Sequence, residues 1–284
     1  MAWRRPVLNS TTTVGFTATA ILFLIGAVAF ANWTPVGRSL FHVNRVFDVY
    51  EHDGRIVYAP SAELAAETVA AALPQAVAAV EAVHGRPFER PVSVVVCASR
   101  DQFSAFVPMG KGARGATFLN RVYLSPKAFE TGTSAAILVH ELSHLHLRQA
   151  LGAGSMYRGI PAWFTEGLAV DVLAGGGAEV VPAADARAAI LGGRTFTPES
   201  AGTWLAPKDA KAHGIPHHLF YRQAGLFVEY LRKGNPDGFR RLMAGLYDHG
   251  SFRRAFELYG DGDTSSYWDQ FINAFRAAGA SAAR

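Results

Sequence analysis

The sequence predicts an α+β fold: an N-terminal α/β lobe, then a mainly helical C-terminal lobe, behind an apolar N-terminal segment. Two runs, the valine-rich Val92–Cys97 and Arg121–Ser125 with its Val122 and Tyr123, fall in the first half and read as strands. The second half reads as helical, ending with Trp268, Phe271 and Phe275 at helical spacing. With 284 residues, half of them hydrophobic, the chain can build a sizeable core as one large domain or two small ones. The predicted divisions are residues 1–35, 40–132, 133–276 and a disordered tail, 277–284.

Met1-Ala2-Trp3-Arg4-Arg5 is basic, and an apolar stretch runs from about Val14 to Ala31. That length can cross a bilayer with slight tilt or thinning. Arg4 and Arg5 would stay cytoplasmic, making residues 1–35 a single-pass transmembrane helix with Trp33 at the interface. The rest of the chain would then be periplasmic or otherwise extracytoplasmic. The alternative is a cleaved signal peptide and a secreted protein, since Ala29-Phe30-Ala31 has the small-x-small form of a cleavage site. Residues flanking Arg4-Arg5 fit a twin-arginine signal poorly. Cys97 is the single cysteine, so no intrachain disulfide forms; within a strand it reads as a small buried hydrophobe.

In the first lobe, Phe41 to Tyr58 mixes β-branched and aromatic residues around Glu51-His52-Asp53-Gly54, which predicts a hairpin turning at Asp-Gly. Ser61 is the expected cap of an alanine-rich helix reaching about Val83, with Glu63 and Glu67 near its positive end. Strands Val92–Cys97 and Arg121–Ser125 follow. Gly110, Gly112 and Gly115 match a dinucleotide fingerprint formally. The context fails, because Pro108 precedes and a strand-like segment follows. A mobile glycine-rich loop is expected there, and flexible connections at Gly175-Gly176-Gly177 and Gly192-Gly193.

The chemistry concentrates in His140-Glu141-Leu142-Ser143-His144. On a helix, positions i and i+4 share a face, so His140 and His144 can reach one metal ion. Glu141 lies about 100° from His140 and about 60° from His144 round the axis, beside such an ion without having to ligate it. Two imidazoles and a flanking carboxylate suit a zinc-activated hydrolase, the glutamate taking a proton from the attacking water. A buried helix whose histidines satisfy backbone groups would give the same pattern. The next segment weighs against that. Ile160 to Asp171 reads as a second helix with Pro161 in its first turn, and Glu166 stands among Trp163, Phe164, Leu168 and Val170. A carboxylate there is costly to bury unless paired or metal-bound. It comes 22 positions after His144, enough chain to turn through Gly152-Ala153-Gly154 and return. Two histidines and one carboxylate, with a fourth position open, make a catalytic zinc shell.

HELSH followed by PAWFTEGLA resembles the gluzincin metallopeptidases, in particular the peptidase-MA-like domains of bacterial envelope proteins. The resemblance spans roughly residues 40–275, with positions 140–144 and 161–168 specific. It implies a zincin-like two-lobed fold with a mixed sheet. It also implies His140, His144 and Glu166 as ligands of Zn2+, and Glu141 as general base. Many relatives carry an acidic residue four places after the third ligand. Here Val170 stands there and Asp171 follows, either orienting a histidine from a different angle or solvated. An oxyanion donor is expected from the C-terminal lobe. Tyr221, in a Y-x-x-A-x-x-x-V pattern, is the candidate, with a core or rim aromatic as the other reading. His217 and His218 are less specific, and His146, about 160° from His144, reads as structural. By the same analogy one strand lines the cleft and pairs with extended peptide; Gly115–Phe118 is the candidate, an ordinary strand or loop the alternative.

The net charge of +4 is modest and its basic residues are scattered, as at Arg114, Arg121, Arg222 and Arg253. That argues against nucleic acid and is compatible with an anionic membrane surface. The expectation is a membrane-anchored, extracytoplasmic zinc metallopeptidase acting on peptide or protein substrates. The alternatives are a non-catalytic envelope domain with a structural zinc or a peptide-binding role, and a transport or assembly component without metal.

Overall fold

The computed structural model describes residues 23–173, 175–203 and 208–282; Arg4, Arg5 and the start of the apolar stretch at Val14 lie outside the described residues. Helix α1 (Phe23–Trp33) exposes Phe23, Leu24, Ile25, Val28 and Trp33. Where extended chain was expected from Phe41, the backbone is instead helical in α2 (Pro35–Phe41) and α3 (Val43–Val46). Thr34 accepts the Gly37 N–H at 3.0 Å and Pro35 occupies the first turn, so capping starts a helix that strand propensity does not override. Extended structure begins at β1 (Asp48–Val49), which pairs antiparallel with β2 (Ile56–Tyr58). The predicted hairpin is present, its turn held by Asp53, which accepts from the backbone and guanidinium of Arg55.

A 3-10 turn, Pro60–Ala62, leads into α4 (Glu63–His84). Ser61 lies in that turn and does not cap the helix; the cap position is Ala62, without a side-chain bond. By length and composition alone, Pro60–His84 is the one described helix apolar enough to cross a membrane. It packs on β2 and on the helix that carries His140 and His144 with Ala66, Val69, Leu73, Ala76 and Val80 buried, the stripe of an amphipathic core helix.

Strands β3 (Val94–Val96), β4 (Gly115–Phe118) and β5 (Arg121–Leu124) complete a five-stranded mixed sheet of order β1-β2-β3-β5-β4. The central pairings β2–β3 and β3–β5 are parallel. Their residues Val94, Val95, Val96, Val122, Tyr123 and Leu124 are fully buried, as unbroken apolar runs in parallel strands require. α5 (Arg100–Phe106) provides part of the cover: Phe106 O accepts from Ser39, whose hydroxyl also meets that of Tyr123 at 2.9 Å. β4 pairs antiparallel with β5 through a two-residue turn in which Leu119 and Asn120 both have positive φ. That is the backbone of a tight hairpin, here without the usual glycine. Among the described residues β4 has no strand on its other side, and Gly115–Phe118 border the cleft described below.

The long helix α6 (Ser134–Gly159) is interrupted at Gly152, whose φ of 72° and ψ of 154° are non-helical; the expected break after the histidine motif falls at this glycine. Then come α7 (Ala162–Asp171), α8 (Ala183–Leu191), α9 (His217–Gly234), α10 (Pro236–His249), α11 (Phe252–Phe256) and α12 (Thr264–Ala282). Asn235 caps α10 by accepting from the Gly238 N–H. Of the tail expected at 277–284, Ala277 to Ala282 continue α12, whose Trp268 and Phe271 are buried, and residues 283–284 lie outside the described residues. Buried apolar residues form two clusters, one from Val43 to Leu145 and one from Leu147 to Phe271. α6 contributes to both.

Helices α7 and α9 approach at glycines. A Cβ on Gly167 would stand 2.6 Å from Ala224 O and 2.7 Å from Val228 Cγ2; one on Gly225 would meet Val170 Cγ1 at 2.4 Å. Substituting Gly167→Ala should therefore cost about 1–3 kcal/mol. Denaturant unfolding checks this, and a change within about 0.5 kcal/mol would mean the helices are not this close.

Candidate metal centre

Two successive helices bring the three predicted ligands to one point. His140 and His144 lie one turn apart on α6, and their Nε2 atoms are 3.2 Å apart. Glu166 of α7 places Oε2 at 3.3 Å from His140 Nε2 and 3.4 Å from His144 Nε2. Four-coordinate ions with bonds of about 2.0–2.1 Å hold neighbouring donors about 3.3–3.4 Å apart. The three atoms thus form one face of a tetrahedron of the right size. Glu166 Oε2, buried between the two imidazoles, has no hydrogen-bond partner among the described residues, and an orphaned buried oxygen calls for a missing partner. The group can hold a metal ion.

Its electrostatics point the same way. Burial would raise the Glu166 carboxyl, but the two imidazoles hold it far below the usual carboxylate range. Burial would also strip a proton from His144; Glu166, through charge and a hydrogen bond, together with Glu141, outweighs this and lifts His144 to about 9. Without a cation, then, a proton balances the buried carboxylate.

Glu141 sits beside this group and is steadied from β4. The Thr117 hydroxyl donates to Glu141 O at 2.6 Å and lies 3.0 Å from Oε2. Gly115 makes that proximity possible, since a Cβ there would stand 2.9 Å from Glu141 Cγ and from Ile137 Cγ2. From α9, the Tyr221 ring stacks on His140 at 5.7 Å, and its hydroxyl feels the charges of Glu166 and Glu141. Burial first, then the charges of Glu166 and Glu141, push that hydroxyl far above its ordinary pKa, leaving it a neutral donor. His217 packs on Tyr221 at 4.1 Å and shares the cleft wall. His218 is absent from that lining.

All these side chains open into a cavity of about 630 Å3. Gly115–Phe118 of β4 form one wall, Ile160–Ala162 and Thr165 another, and Glu199, Ala201, Gly202, Thr203, Lys208 and Asp209 a third. The lining is mainly apolar around a few convergent polar groups, the usual make-up of a small-ligand or peptide site.

Asp171 is elsewhere. It is buried, and both of its oxygens accept from Arg232 of α9, at 2.6 and 2.9 Å. Neither reading, histidine-orienting or solvated, survives: burial raises its pKa and the guanidinium offsets the penalty, so the pair pins α7 to α9. Beside His140 stands Gly177 instead, with φ of +84°; a Cβ there would come within 2.6 Å of Nδ1. Of the three glycines read as a flexible connection, Gly177 thus abuts His140 and Gly175 abuts Arg222. Arg222 clasps that loop, donating to Ala178 O and Val181 O at 2.8 Å each.

Sequence reasoning also missed a buried network around α6. His84 bonds Ser143 Oγ at 2.9 Å and Tyr247 at 2.7 Å; Tyr247 meets His146 Nδ1 at 3.1 Å, and His146 Nε2 reaches Arg86 O at 3.0 Å. Burial lowers the pKa of both histidines, so they bond as neutral rings. His146 is structural, as its angle on the helix implied. Cys97 is buried as expected, its thiol pushed up to about 12 by that burial. The signal for the network, a serine inside the motif facing a distant histidine, is invisible without the fold.

No family model matches this chain, and no curated protein matches it. The geometry therefore carries the functional argument.

Competition with a chromogenic chelator should show one Zn2+ bound per chain, weakened on the order of 100-fold or more by Glu166→Gln. An unchanged affinity would remove Glu166 from the site.

Proposed function

We propose that this chain is a zinc-dependent metallopeptidase of gluzincin type, with a zincin-like two-lobed fold. The observation that carries the reading is the ligand triangle of 3.2–3.4 Å edge with an unligating Glu141 held beside it by Thr117. A structural metal site has no use for that carboxylate, which favours catalysis over the non-catalytic alternative. The two apolar clusters meeting along α6, and the edge strand β4 along the cleft, support the two-lobed arrangement.

Two imidazoles and one carboxylate suit Zn2+, and when bound the ion lowers the pKa of water and polarises a carbonyl. The residues supply the rest. An extended peptide adds to the free edge of β4, its backbone groups pairing with the strand's unpaired ones. Glu141 takes the proton from the attacking water and returns one to the leaving amine. Tyr221, kept protonated, donates to the oxygen on which negative charge develops. The apolar lining excludes competing water.

The exposed apolar side chains of α1 support a membrane anchor that leaves the catalytic part extracytoplasmic. Removal of a leader near Ala31 is the alternative route to the same compartment.

Glu141→Gln should lower turnover of a quenched peptide library at least about 1,000-fold while zinc content, by elemental analysis, stays at one per chain. Cleavage at the wild-type rate by that variant would refute the mechanism.

A further inference from the structure

The row of α6 that carries the ligands continues beyond them. His140, His144 and Arg148 are spaced by four, and Arg148 lines the same cavity. The helix keeps its regular course until Gly152, so Arg148 stands about 6 Å further along the axis than His144. It is half-buried, yet no hydrogen bond or ion pair engages its guanidinium among the described residues. The other charged groups of the wall are occupied. Lys208 lies 3.7 Å from Glu199, which also faces His213 at 3.3 Å, and Asp209 accepts the Ala212 N–H. Arg148 is thus the one cleft-lining Lys or Arg without an anionic partner among the described residues.

A permanently charged group, partly desolvated and unpaired, is unfavourable unless a ligand completes it. The planar fork of a guanidinium fits a carboxylate through two parallel hydrogen bonds. We propose that Arg148 is a specificity-determining residue whose guanidinium receives a carboxylate of the peptide substrate. Given about 3.3 Å per residue of extended chain, that carboxylate belongs within about two residues of the bond cut. The inference rests on the metallopeptidase reading for its substrate class, peptides. The carboxylate has two possible sources, an Asp or Glu side chain or the peptide's C-terminus.

Binding to the zinc-loaded Glu141→Gln protein, followed by fluorescence polarisation, tests this without turnover. The probes are labelled peptides in matched pairs, Glu against Gln at each position and free C-terminus against amide. One pair should differ by about tenfold or more in Kd, favouring the carboxylate. That pair identifies the source: a Glu/Gln difference means a side chain, an acid/amide difference the terminus. Adding Arg148→Gln should bring the ratio close to one, Arg148→Lys should keep part of it, and Arg148→Glu should favour a lysine-bearing peptide. A ratio that survives Arg148→Gln, or no pair that differs with Arg148 intact, overturns the proposal. If the zinc-loaded wild-type chain cuts none of the peptides while the Arg148-dependent ratio holds, the peptidase reading fails and the carboxylate subsite stands.

Discussion

A carboxylate with one oxygen buried against two imidazoles is the constraint around which this fold is arranged. Glu166 is worth burying only where positive charge meets it, and α6 supplies that charge from a single face. Everything nearby serves to keep the two helices in register. Gly167 lets α7 lie against α9, Arg232 ties the far end of α7 to the same helix, and Gly177 fits against the back of His140. The three donor atoms thus stand at the mutual distances that one ion needs.

The metal-site helix also joins the two halves of the molecule. Its apolar side chains up to Leu145 belong to the cluster around the sheet, and from Leu147 onward they belong to the helical cluster. Polar contacts cross the same seam, since His84 of α4, Ser143 of α6 and Tyr247 of α10 are linked by hydrogen bonds. The helix that carries His140 and His144 is shared by two cores and so is held on both sides. The cleft lies where the sheet's edge, α7 and α9 meet it.

What could be read in the sequence was local. The four-residue spacing of His140 and His144 follows from helix geometry alone, and Glu166 was legible because an acidic residue on so apolar a helix needs an explanation. The strands at Val94–Val96 and Arg121–Leu124 showed in composition. What stayed hidden joins distant positions. Thr117 meets Glu141 across 24 residues, Asp171 meets Arg232 across 61, and His84 meets Tyr247 across 163. No periodicity encodes such pairings. Asp171 misled because one side chain next to a motif suggests a role in it, whereas its partner comes from another helix. The residues around Phe41 misled in the opposite sense, since a cap at Thr34 decided their conformation. The glycines at 175–177 looked loose because glycine is equally the mark of a flexible link and of a close approach.

The composition of the coordination shell decides whether His140, His144 and Glu166 hold the ion. Zinc K-edge X-ray absorption on the metal-loaded chain reads it without reference to activity. The account predicts a four-coordinate ion with two imidazoles and the remaining donors oxygen, all at about 2.0–2.1 Å. A sulfur contribution from Cys97, an imidazole count other than two, or an octahedral shell of water would contradict it.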